Sequence, residues 1–109
     1  MIKFGINSTD LYSAAAAIGA ELGVVLQLRD SEFRGGEYFR ADIGRGAIFL
    51  QSNQDLLDDE PFEANWPIDQ LILILDGLDT NVRDSYAEQL RHLTAPTATE
   101  LEQRPGSLS

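Results

Sequence analysis

The sequence predicts an α+β domain: a mostly antiparallel five-stranded sheet with two helices packed on one face, in the order βαββββα. Apolar and polar residues alternate in 2–6 and again in 37–43, the period of a half-buried strand. Apolar residues recur at helical spacing in two other stretches, 11–22 and 82–93. Gly44-Arg45-Gly46 joins two middle strands by a hairpin connection, so those neighbours run antiparallel.

Ile2, Phe4 and Ile6 mark the first strand. Asn7, Ser8, Thr9 and Asp10 supply cap chemistry for a helix whose apolar stripe is Leu11, Ala15, Ile18 and Leu22. The alanines at 14–17 favour helix and allow close packing on a sheet, and Gly23 is placed to end it. Residues 24–29, Val-Val-Leu-Gln-Leu-Arg, read as the second strand, and 30–36 as a turn-rich connection. The third strand puts Phe39, Ala41 and Ile43 on one face, with Tyr38, Arg40 and Asp42 on the other. Residues 47–51 return as the fourth strand. Leu71–Leu75 is apolar on both faces, which predicts a central strand. Asp79, Thr80 and Asn81 can cap the second helix, striped by Val82, Tyr86, Leu90 and Leu93, with Arg91 and His92 suiting its last turn. Residues 1–95 are thus expected to form one domain, with 96–109 a flexible C-terminal tail in which Leu101 could dock. The free sheet face is expected to expose Arg29, Tyr38, Arg40 and Gln51.

The 109 residues suit one domain, and 43% apolar content is enough for a core. Eight basic residues against 18 acidic ones give a formal net charge of −10. That field repels nucleic-acid phosphates and anionic membranes and attracts a basic protein; it also serves solubility. Without cysteine there is no disulfide, thiolate metal site or cysteine nucleophile. No apolar run reaches signal-peptide or membrane-spanning length, so the cytoplasm is the expected location.

The densest signal is the segment 55–69. It holds Asp55, Asp58, Asp59, Glu60, Glu63 and Asp69, two large aromatics, Phe62 and Trp66, and no basic residue. Pro61 and Pro67 resist regular structure there. A long connection in a small domain is often functional, and acid beside aromatic suits docking onto a basic surface. Asp55, Asp58, Asp59, Glu60, Phe62, Glu63 and Trp66 are therefore the expected partner-binding residues. Phe62 and Trp66 have two readings that can both hold: they pin the loop over a satellite core, or they anchor an interface.

No enzyme motif stands out. The acids lack a calcium-loop pattern, and the single histidine, His92, has no partner at a spacing that builds a triad or metal site. Gly35-Gly36 and Gly44-x-Gly46 match no phosphate-loop signature, and Lys3 is the sole lysine. Neither cofactor nor metal is expected. Arg34, Tyr38, Phe39, Arg40 and Arg45 interleave as in a base-stacking platform, but the net charge opposes that role. Pairing of these arginines with nearby acids such as Glu37 and Asp42 across the hairpin is the expectation.

Tyr38-Phe39-Arg40-Ala41, then Ile48-Phe49-Leu50-Gln51 with Asn53, the acidic segment, and Trp66-Pro67 ahead of residues 71–77 resemble small acidic bacterial immunity proteins of toxin–immunity pairs. The resemblance covers about the middle half of the chain and carries over no residue role. It implies a non-enzymatic cytoplasmic inhibitor that binds one toxin domain, often a nuclease. The alternative is a structural or regulatory module forming a homodimer through the fifth strand and exposed sheet edges.

Overall fold

A computed structural model describes residues 1–101. Its elements are β1 (Ile2–Ile6), α1 (Leu11–Leu22), β2 (Gln27–Ser31), β3 (Gly36–Ile43), β4 (Gly46–Ser52), β5 (Gln54–Asp55), β6 (Glu60–Pro61), β7 (Leu71–Asp76), α2 (Thr80–Arg91) and β8 (Ala98–Leu101). A short 3-10 turn, Glu32–Arg34, precedes β3. The main sheet is fully antiparallel with strand order β2-β3-β4-β7-β1-β8, and β5 and β6 form a separate small hairpin.

The α+β architecture and both helices are as expected. Asp10 caps α1 by accepting from the Ser13 N–H at 3.1 Å, and Gly23 ends it with φ 70°. Ala14, Ala15, Ile18 and Leu22 of α1 and Ala87 and Leu90 of α2 share one core with Phe4, Ile6, Ile48, Leu50, Leu71, Leu73 and Leu75. The two helices therefore cover one sheet face. Each large aliphatic side chain buried there contributes about 1.5–3 kcal/mol.

The strand count differs. The main sheet has six strands rather than five, because Ala98–Leu101, in the stretch expected to be a tail, pairs along β1. Four residues with one large apolar side chain carry almost no strand signal; Leu101 gains its place by burial on the second face. Residues 102–109 of the expected tail lie outside the described residues. The second strand also starts later than expected. Val24 turns its N–H back to the Gly19 carbonyl at 3.0 Å as part of the α1 terminus, so 24–26 stay out of the ladder.

The second face is not bare either. Ala47, Phe49, Ile72, Ile74 and Leu101 are buried there, with Tyr38, Phe62 and Trp66 packed against them. Leu71–Leu75 is central, as expected, between β4 and β1 and covered on both sides. Gln51 is not exposed as expected but 2% exposed, with Arg34 bonded to it; Tyr38 and Arg40 are partly buried, and of that set Arg29 alone is exposed.

Candidate functional site

The acidic segment is a flap over the second face, and one fully buried residue ties its base together. The Asn53 side chain, 0% exposed, donates from Nδ2 to the carbonyls of Trp66 at 2.8 Å, Glu63 at 3.1 Å and Pro67 at 3.2 Å. Its Oδ1 accepts from the Glu63 N–H at 2.8 Å. Its own N–H donates to Gln70 O at 2.9 Å and its carbonyl accepts from Phe62 N–H at 2.9 Å. A buried amide must satisfy its donors and acceptors, and here it does so by closing both ends of the loop.

Phe62 and Trp66 both face the sheet. The Trp66 indole lies directly on Gly5 of β1, so close that a Cβ at that position would overlap the ring. Phe62 packs in the same satellite cluster. Glu63 is bound internally: its carboxylate pairs with the sole lysine, Lys3, at 2.5 Å in a part-buried bridge. These three residues fasten the flap. The pinning half of the two readings describes the geometry of Phe62 and Trp66.

The outer part of the flap is the β5–β6 hairpin. Asp55 opposes Glu60 across it, and residues 56–59 make the turn. The turn is locally bonded: Asp55 accepts from the Leu57 N–H at 3.0 Å, the Asp59 N–H donates to Asp55 O at 2.7 Å, and Gln54 Nε2 donates to Asp59 Oδ1 at 2.9 Å. Asp59 takes the left-handed conformation at φ 56°, which an aspartate tolerates better than most residues. Among the described residues, no cationic side chain stands within 4 Å of Asp55, Asp58, Asp59 or Glu60.

Leu56 and Leu57 stand out from this tip, 51% and 54% exposed. Their signal in the sequence is an apolar pair inside an acid run, with no strand or helix period to bury it. Phe33, 73% exposed on the 3-10 turn, lies at the same end of the molecule. There Gly35 approaches the backbone of Gln54, and Leu56 lies over Gly36. Asp69 is exposed between the flap and β7 and belongs to no cluster.

The arginine pairing differs from the expectation, running along a strand rather than across the hairpin. Arg40 bonds Asp42 at 2.9 Å, but Glu37 accepts instead from the Tyr12 hydroxyl at 2.8 Å, which raises the Tyr12 pKa. His92 sits beside Glu88 at 3.0 Å, and the bonds from His92 and Arg91 hold that carboxyl below its ordinary value. Among the described residues no group of three or more His, Asp or Glu is placed to hold a metal ion, and no helix is long and apolar enough to cross a membrane. Comparison of the chain with protein-family models, curated proteins and solved structures found no match.

Proposed function

We propose that this chain is a non-enzymatic inhibitor of the immunity type, acting in the bacterial cytoplasm, that docks a basic protein domain on its Asp55–Glu60 hairpin. The observation that supports this is the tip: two exposed leucines on a bonded turn, flanked by acids with no cationic neighbour among the described residues. An apolar centre in a charged rim is the anatomy of a specific interface. Asp55 and Glu60 oppose each other directly, where like charges repel, and a partner's cation would relieve that repulsion. A nuclease toxin must present a positive cleft to phosphates, which suits this tip in charge. Asp55, Asp58, Asp59 and Glu60 then steer and pair, Leu56 and Leu57 make the desolvated contact, and Phe62, Glu63 and Trp66 hold the tip in position.

The test is calorimetric titration with the product of the neighbouring gene at low and moderate salt. One-to-one binding that weakens as salt rises is the expected result. No binding by a folded partner at either salt rejects the pairing.

A second reading, self-association, has its own observation. The fifth strand of the sequence reading is enclosed, but β2 is an edge with one neighbour, no proline and no lysine, and with Leu28 and Val25 exposed on and beside it. Such an edge can template a second copy. The two readings differ in sign with salt. Two chains of −10 repel, so salt would promote the homodimer and weaken the basic complex.

A further inference from the structure

The second face holds a groove that the flap leaves open, with a volume of about 370 Å³. Its polar wall includes Arg34, Tyr38 and Gln51, and its apolar wall Phe62, Ile72 and Ile74. The Arg34 guanidinium lies 3.6 Å from the Phe49 ring centre, and Arg40 stands over the same ring at 5.1 Å. Two guanidinium groups thus converge on one aromatic ring. Arg40 is neutralised by Asp42, whereas Arg34 has no carboxylate within 4 Å among the described residues. Arg29 and Arg45 also lack a carboxylate partner among the described residues, but both are exposed, and of the three only Arg34 lines this groove.

Arg34 is also fixed in place. Its Nη1 donates to Oε1 of the buried Gln51 at 2.9 Å, and its guanidinium carbon lies over the Phe49 ring. Among the described residues, nothing accepts from Nε or Nη2. Those two nitrogens form the side-on fork that matches the two oxygens of a carboxylate.

We propose that this groove binds a small free carboxylate on an apolar or aromatic body, with Arg34 as its bidentate partner and Phe62, Ile72 and Ile74 against the body. A dianion fits less well. The neighbouring cations are already paired, Lys3 with Glu63 and Arg40 with Asp42, so one guanidinium remains to meet one negative charge. The volume suits a ligand of benzoate size, at the lower end of ligand pockets. This site is independent of the hairpin tip and stands or falls separately from the proposed function.

The experiment is a backbone-amide NMR titration of the unaltered chain with benzoate, and separately with benzyl alcohol and inorganic phosphate. Saturable benzoate shifts at Arg34, Tyr38 and Gln51, with little response to the other two probes, are expected. Arg34→Gln should weaken benzoate binding roughly tenfold or more, the scale of a charge-assisted hydrogen-bond pair, while Arg45→Gln leaves it unchanged. Absence of saturation with benzoate, an equal response to benzyl alcohol or phosphate, or undiminished binding by a folded Arg34→Gln variant overturns the proposal. The comparison of probes on the unaltered chain decides it even if the variant does not fold.

Discussion

Asn53 and Glu63 bond to each other in both directions: the Glu63 N–H donates to Asn53 Oδ1 at 2.8 Å, and Asn53 Nδ2 donates to the Glu63 carbonyl at 3.1 Å. The same amide group reaches the carbonyls of Trp66 and Pro67. One side chain just after β4 therefore replaces the backbone ladder that the flap lacks with the main sheet. The base of the flap is thus tied down by local bonds, and the tip projects from that base.

Asn53→Ala should destabilise the protein by about 3 kcal/mol, since it removes four hydrogen bonds made by one buried side chain. Asn53→Asp should cost more, because it keeps the acceptor but sets a buried charge against three carbonyl oxygens. Chemical denaturation measures both. An Asn53→Ala midpoint equal to that of the unaltered chain would remove Asn53 from the role given to it here.

Gly5→Ala should force the Trp66 indole off β1, because the added methyl occupies the ring's place. A loss of about 1–3 kcal/mol is expected from such overpacking, with a red shift of the single tryptophan's fluorescence. In a Trp66→Ala background the same change should be nearly neutral. A double-mutant cycle reads this directly, and additive losses would mean that the two residues are not in contact.

Most of the fold was legible because most of it follows one rule: a face turned to the helices must be apolar. Ile2, Phe4 and Ile6, and Phe39 and Ala41, declare their strands by alternation, and 71–75 declares burial on both sides. Where pairing confers structure without a pattern, the sequence was silent. Ala98–Leu101 is a strand because β1 has a free edge, and Val24 is not in one because its N–H completes a helix terminus. In the acidic segment, composition located the functional candidate but could not say which side chains face inward. The aromatics face the sheet and the leucines face out. Arg34 over Phe49 spans a distance in sequence that no local spacing encodes.

In complex with a basic partner, Leu56→Asp or Leu57→Asp should weaken binding by about 2 kcal/mol or more, the loss typical of a central contact. Asp58→Asn or Glu60→Gln should instead slow association and flatten its salt dependence while changing dissociation little, as rim charges do. Surface plasmon resonance separates the two effects. Equal, small losses at all four positions would dismiss the tip as the docking element. Folding is not at risk, since all four side chains are exposed.

Self-pairing of β2 would have a definite register. If two copies extend the sheet antiparallel with their helices on the same side, opposite residues must share a face. A two-fold axis at Arg29 sets Arg29 against its copy, and one at Asp30 sets Asp30 against its copy; like charges directly opposite oppose both. An axis at Leu28 sets Leu28 against Leu28 and pairs Gln27 with Arg29, two side chains that already bond within the chain at 3.2 Å. Leu28→Cys should then give a disulfide-linked dimer under mild oxidation, more readily at high salt, and Arg29→Cys should not. Leu28→Arg should hold the chain as a monomer by analytical ultracentrifugation. Crosslinking at Arg29 in preference to Leu28 would reject this register. A monomer at millimolar protein and high salt would reject self-association through β2.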